Sequence, residues 1–416
     1  MTAPLRIGIV GMGGFAGSHH DAVAKLEDRG EVRLVSTCDP DPVLHGVRSP
    51  AWRLAARGVR VFADFPTMLA QTQRELDLVV IPTPIQLHGE MHAAAAAAGL
   101  PSYLEKPPTL DPVELEAMIA TDARLPKASL VGFNFIIEPA RLALKERLLA
   151  GEFGAVRGAT FSALVPRPVD YFRRAAWAGR LMIDGRLVLD SCLGNALAHQ
   201  VHNLLFWAGR GSLFSWAELA AVRAELYRAH AIEGADTFFV EADTTGGVNM
   251  RIAVSHACAG ASSQTEIVVC EQATLRYVIG QGAEIRWIDG RVERIALEPF
   301  DPLLANHLDY YRYLRGETSR PSTTLTDSRA FVALNALAYI SSRQITTIPP
   351  ARVAAARNEK EQKDYLTIAG LPSAQEAFLL RGIWPGASGW ERDPGDLALM
   401  SDLGKFAETI RRLVGA

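Results

Sequence analysis

The sequence predicts an α/β protein of two domains: a parallel sheet covered by helices, then an α/β domain with an open, mostly antiparallel sheet. Three observations predict this. Apolar strands alternate with helices over residues 1–128. A glycine-rich turn, Gly11-Met12-Gly13-Gly14-Phe15-Ala16-Gly17, joins the first strand to the first helix. Further along, strand-like runs succeed one another with hairpin-type turns between them. Alternating apolar strands and helices mark a parallel sheet buried on both faces, whereas short strands joined by tight turns mark antiparallel pairing.

Leu5-Arg6-Ile7-Gly8-Ile9-Val10 reads as the first strand, and Ser18 opens the helix after it. In the pattern G-x-G-x-x-A between them, Gly11 permits the tight turn and Gly13 lets a pyrophosphate approach the backbone. The small Ala16 lets the helix pack on the strand. With Gly14 and Phe15 in the same turn, the helix N-terminus offers N–H groups and a positive dipole end to phosphates. A glycine turn alone is a weak signal. Here the second strand, Val32-Arg33-Leu34-Val35-Ser36-Thr37-Cys38, ends in Asp39, about where a ribose-binding carboxylate is expected. The context is that of a Rossmann dinucleotide site.

The alternation continues with strands at 59–62, 78–81 and 102–104, helices at 87–98 and 112–120, and a closing strand at 130–134. Beyond residue 151 the character changes. A strand is expected at 155–165 and a long helix at 190–208, followed by strands at 237–240, 250–255, 266–270, 275–279 and 285–288. Gly280-Gln281-Gly282 and Asp289-Gly290 supply hairpin turns. Helices return at 303–314 and 327–343, and the charged run at 358–363 reads as a solvated helix face. The boundaries implied are a nucleotide-binding domain at 1–128, a substrate-binding and oligomerisation domain at 129–348, and an extension of unassigned role at 349–416.

Composition narrows the function classes. The 416 residues are 49% hydrophobic and 21% charged with a net charge of -3, which describes a soluble globular chain without a nucleic-acid footprint. Cys38, Cys192, Cys258 and Cys270 lie far apart with no C-x-x-C pair, and read as reduced thiols of a cytoplasmic protein. The first strand begins almost at once, leaving no room for a secretion signal. No apolar run is long enough to span a bilayer, so no membrane partner is expected.

Three further segments turn a nucleotide fold into a resemblance. Thr83-Pro84-Ile85-Gln86-Leu87-His88 carries T-P-x-x-x-H at one strand end, and Glu105-Lys106-Pro107 carries E-K-P at the next. Asn195-Ala196-Leu197-Ala198-His199 lies on the long helix of the second domain. With the glycine turn, these make residues 5–345 similar to the Gfo/Idh/MocA family of glucose–fructose oxidoreductase, inositol dehydrogenase and relatives. The resemblance implies a nicotinamide cofactor, hydride exchange with a sugar, cyclitol or related polyol, and a homo-oligomer, dimer or tetramer. It makes Lys106 catalytic, and places Thr83, Pro84, His88, Glu105 and Lys106 beside the cofactor with Gly11, Gly13, Gly14, Phe15, Ala16 and Asp39.

Chemistry supports the role given to Lys106. A lysine at a parallel strand's carboxyl end sits in the crevice where such sheets bind ligands, and its ammonium can stabilise developing alkoxide charge. On the long helix many relatives carry D-x-x-x-H-x-x-D, matched here by Asn195, His199 and His202. Spacings of four and seven put all three on one helical face. His199 is the candidate for proton relay. Asn195 can bind a hydroxyl but cannot act as a carboxylate base. Asp190, earlier on the same segment, is a possible substitute. His202 reads as a substrate contact or a core histidine. Arg173, Arg174 and Arg180 are candidates for a substrate carboxylate and Trp177 for stacking on a sugar ring, with plain surface exposure the competing reading for each arginine. His19 is expected to pack on the glycine turn, and His20 reads as incidental. No metal is expected, asparagine being a poor ligand.

Asp39, followed by Pro40 and Asp41 with no adjacent arginine, favours NAD over NADP, since a carboxylate accepts from ribose hydroxyls and repels a 2′-phosphate. The leading expectation is a dehydrogenase. An NAD-dependent glycoside hydrolase with a recycled cofactor, or a non-catalytic nucleotide-responsive regulator, are the alternatives. Net NADH release separates the first from the second, and retention of Lys106 argues against the third.

Overall fold

The computed structural model describes residues 3–41 and 49–415. Two compact units emerge, Met1–Glu138 with Phe300–Arg329, and Pro139–Pro299 with Ala330–Ala416.

In the first unit, strands β1 (Leu5–Val10), β2 (Val32–Cys38), β3 (Arg60–Phe62), β4 (Leu78–Ile81), β5 (Ser102–Leu104) and β6 (Leu130–Val131) form a parallel sheet in the order β3-β2-β1-β4-β5-β6. This is the dinucleotide-binding order, with its reversal between β1 and β4. All four β4 residues are buried, as a strand covered on both faces requires. Helix starts follow local rules. Asp64 accepts from Thr67 N at the head of Phe65–Thr72, and Asp111 accepts from Val113 N ahead of Pro112 at the head of Pro112–Asp122.

The closing strand is shorter than expected. It stops at Val131 and gives way to a 3₁₀ turn at Asn134–Ile137. The larger difference concerns helix Pro302–Leu314, which falls in the first unit and not the second. Tyr310, Tyr311 and Tyr313 join Ile7, Val23, Leu34 and Tyr103 in one core. The Asn306 amide donates to the Tyr103 hydroxyl at 2.8 Å. The chain therefore returns to complete its nucleotide-binding unit, with burial of three aromatic rings as the driving term.

The second unit is built on a sheet running, among the described residues, through ten strands. Its centre, Val156–Leu164, pairs parallel with Asn249–Ser255 and antiparallel with Ser263–Cys270. From there the sheet continues one way through Ala273–Val278, Gly282–Trp287 and Val292–Ala296, joined by the two expected hairpin turns. It continues the other way through Thr237–Thr244 and Leu219–Arg228, the latter paired parallel with Ile345–Thr347 and antiparallel with the short tenth strand, Ala398–Leu399. The expected sheet is therefore mixed, with two parallel pairings in a mainly antiparallel array. Behind it, the wholly buried Arg141 guanidinium donates to Glu266 at 2.6 Å, and Trp207 Nε1 donates to the same carboxylate at 2.6 Å. A buried charge survives only when paired and hydrogen-bonded in this way.

Two further expectations are corrected. The helix expected at 190–208 divides into a π-helical turn, Cys192–Ala196, and an α-helix, Ala198–Ala208, with Leu197 between them at φ -111° and ψ 19°. The charged run at 358–363 is no helix face. It forms the turn of the hairpin Val353–Asn358 with Lys363–Ile368. The extension beyond 349 folds onto the second unit, where Phe378 and Trp390 share a core with Tyr227 and Phe239. Among the described residues no helix is long and apolar enough to cross a membrane.

Candidate active site

In the first unit the glycine turn adopts the conformation its sequence demands. Gly11 and Gly14 have φ of 97° and 54°, in the left-handed region, and a Cβ on Gly11 would lie 3.4 Å from that of Ala16. Ala16 itself is buried at the start of helix Ala16–Asp28. Among the described residues, the backbone N–H groups of Gly13, Gly14 and Phe15 meet no acceptor. Neighbouring unfilled donors at a helix start form a concavity suited to a phosphate. Phe15 is 49% exposed at its rim. Asp39 stands alongside, its Oδ2 accepting from Met12 N at 2.8 Å and its Oδ1 from Asp41 N at 2.9 Å. The residues fit a dinucleotide.

His20 is not incidental. It is buried, with Nε2 3.2 Å from the Gly11 carbonyl and its ring stacked 4.3 Å from Trp52. Burial lowers its pKa to about 4. Sequence reasoning missed this brace because Trp52 is remote in the chain. Cys38, whose carbonyl accepts from Gly11 N, is an inert neighbour, its thiol pushed up to about 12 by burial.

Thr83 and Pro84 follow β4, and Glu105 and Lys106 follow β5, so the turn after β1 and both later segments share the carboxyl edge of the sheet. Thr83 is half-buried with its hydroxyl on Met91 Sδ, Pro84 is exposed, and Lys106 is half-buried. His88 differs from the expected cofactor contact. It is 1% exposed, with Nε2 2.8 Å from Thr83 O and Nδ1 3.0 Å from Pro107 O. Burial lowers its pKa, so the ring, held between the two segments, donates to one of these carbonyls at a time. Glu105 is buried, accepting from Lys106 N through Oε2 and facing His19 Nε2 at 3.2 Å through Oε1. Gly132 makes room for it, since a Cβ there would lie 2.7 Å from Glu105 Oε1. His19, expected only to pack on the turn, thus joins this carboxylate to His307.

In the second unit, Asn195 sits in the π-helical turn and His199 in the α-helix after it, both half-buried, so they do not share one regular helical face. Asn195 Nδ2 donates to Asp190 Oδ1 at 2.7 Å. Arg174 donates to Asp190 Oδ2 at 3.2 Å, with its guanidinium 3.7 Å from the Tyr171 ring centre and 4.5 Å from that of Trp177. Both Arg173 and Arg174 are exposed residues, and Arg174 is the one held by a carboxylate and two rings. Trp177 is half-buried beneath it. Arg180 reaches Glu233 at 3.7 Å. His202 departs from the expected substrate contact. It is wholly buried, accepting from Trp216 Nε1 at 3.3 Å with Phe331 beyond, a core position.

Comparison with known proteins agrees with this geometry. Residues 5–133 match the model of the oxidoreductase family with an NAD-binding Rossmann fold. The inositol 2-dehydrogenase of Rhizobium meliloti (strain 1021) is 27% identical over 173 residues, 41% of this chain and 49% of the relative. That of Leifsonia xyli subsp. xyli is 30% identical over 154 residues, 37% and 43% of the two chains. The chain thus spans about half the length of the curated relatives it matches. Among solved structures, the WlbA dehydrogenase from Bordetella pertussis, in complex with NADH and UDP-GlcNAcA, has a TM-score of 0.66 at 25% identity, covering 82% of this chain and 97% of that one. A levoglucosan dehydrogenase in complex with NADH has a TM-score of 0.69 at 16% identity over the same shares, a likeness of fold alone. Over residues 5–133, the chain matches the Gfo/Idh/MocA family of oxidoreductases, in its NAD-binding Rossmann part.

Proposed function

We propose that the protein is an NAD-dependent oxidoreductase exchanging hydride with a secondary alcohol or ketone of a sugar, cyclitol or related polyol. One observation carries the reading: the glycine turn, Thr83 and Lys106 lie at the carboxyl ends of β1, β4 and β5, the edge where parallel sheets of this order bind ligands. Gly13, Gly14 and Phe15 would hold the pyrophosphate, and Asp39 the adenosine ribose, which favours NAD over NADP. When bound, the nicotinamide supplies the hydride acceptor or donor.

The chain's own residues manage the rest. Lys106 donates to the reacting oxygen and stabilises its negative charge as the alcohol loses its proton. His199 takes or returns that proton as general base or acid. Asn195 hydrogen-bonds a neighbouring hydroxyl, and Trp177 offers a ring face to the sugar. The four cysteines are free and buried, which suits a reducing cytoplasm. A homo-oligomer of two or four copies completes the proposal, and light scattering would count them.

The test is NADH release from NAD⁺ with inositol and levoglucosan as first substrates. Lys106→Ala should leave NADH affinity nearly intact and lower turnover by about 10²–10⁴-fold, the range for losing a proton-handling group. His199→Ala should fall in the same range. Unchanged turnover in either variant removes that residue from the mechanism.

A further inference from the structure

The Asp190 carboxylate is 4% exposed and committed on both oxygens. Its Oδ2 accepts from Gly179 N at 2.8 Å and from Arg174 Nη2 at 3.2 Å, and its Oδ1 from Asn195 Nδ2 at 2.7 Å. An ionised carboxylate can only accept, so the Asn195 atom facing it must be the amide nitrogen. The orientation of that amide is therefore fixed by charge. Arg174 is held in turn by the Tyr171 and Trp177 rings and by donation to Tyr171 O at 3.0 Å. The π-helical turn carrying Asn195 is closed by Ser191, whose hydroxyl accepts from Gly194 N at 2.9 Å. Rings, cation, carboxylate and amide form one braced series, in which Asn195 is half-buried.

We propose that Asp190 is a positioning residue that sets the polarity of Asn195, nitrogen toward Asp190 and oxygen as acceptor for a substrate hydroxyl. The inference rests on the dehydrogenase reading. Position 195 then recognises a donor on the substrate and takes no proton itself. The negative charge stays one hydrogen bond behind it, where it polarises the amide and strengthens its oxygen as an acceptor.

Exchanging the partners tests this. Asn195→Asp alone sets two carboxylates at hydrogen-bonding distance, and such a pair shares one proton. Its Tm should drop by about 4 °C or more between pH 5 and pH 8 relative to the parent protein. The double variant Asp190→Asn/Asn195→Asp reverses the hydrogen bond, and should recover most of that loss. With a polyol that releases NADH, Asp190→Asn should raise KM about tenfold, the equivalent of one well-made hydrogen bond, and change kcat much less. A double variant no more stable than the sum of the single changes overturns the pairing. An Asp190→Asn enzyme with lowered Tm but unaltered KM makes Asp190 merely structural. The melting cycle needs no turnover, so a parent protein that releases no NADH defeats the dehydrogenase reading and the ligand role together, while the cycle still judges the pair.

Discussion

His19 Nδ1 and His307 Nε2 face each other at 3.0 Å inside the first unit, so one ring must donate and the other accept. Their outer neighbours decide which. An ionised Glu105 accepts from His19 Nε2 at 3.2 Å, which leaves His19 Nδ1 as an acceptor for His307 Nε2–H. His307 Nδ1 then accepts from the Tyr311 hydroxyl at 3.1 Å. Every donor in the series points toward Glu105, the residue before Lys106. Burial, with His19 alongside, holds the His307 pKa well below the usual imidazole range.

Breaking this series should be costly. His307→Phe fills the space but leaves His19 Nδ1 buried without a donor, a loss of about 1–3 kcal/mol. His307→Gln, which restores a donor, should lose less. Urea unfolding of the two variants measures the difference, and equal stabilities would contradict the assigned direction of donation.

The buried histidines also predict acid sensitivity. His20 has a folded pKa near 4 against an unfolded value of about 6.5, so the unfolded chain binds the proton first. Stability from this residue is complete above about pH 6.5 and declines as pH falls toward 4, where the loss is about 3 kcal/mol. His256, lowered to about 3 by burial, acts in the same direction. The slope of unfolding free energy between pH 6.5 and 4 checks this. His20→Gln should flatten it, and an identical slope would mean that His20 takes up its proton equally in the folded and unfolded states.

One variant separates the backbone contact of Asp39 from the cofactor-selecting role proposed for it. Asp39→Asn keeps an acceptor for Met12 N yet removes the charge that, in the proposed role, repels a 2′-phosphate. The preference for NAD(H) over NADP(H) should narrow by about tenfold or more, one hydrogen-bond equivalent. Calorimetric titration with all four cofactors reads it directly. A preference that stays the same would remove Asp39 from cofactor selection.

His202 should behave as a core residue. Replacing it with alanine empties space beside Trp216 and Phe331, at a cost of about 2–4 kcal/mol in stability, with KM for an accepted polyol little changed. A KM effect without loss of stability would return His202 to the substrate.

The Rossmann half was legible because its signals are local. A left-handed glycine, a small residue at the helix start and an apolar strand act within a few residues, so the turn at Gly11, the packing of Ala16 and strand β4 could be assigned from the chain alone. The two hairpin turns of the second sheet were readable for the same reason. Tertiary structure decided what depends on distant partners. It assigned helix Pro302–Leu314 to the first core, where Tyr310 and Tyr311 are buried. It turned His20 into a brace through Trp52, and His88 into a tie between two loops. It broke the expected helix before Ala198 and set Asp190 against Asn195. Periodicity reports which face of a segment is apolar, whereas the partner of a buried polar atom is fixed only when separate segments close around it.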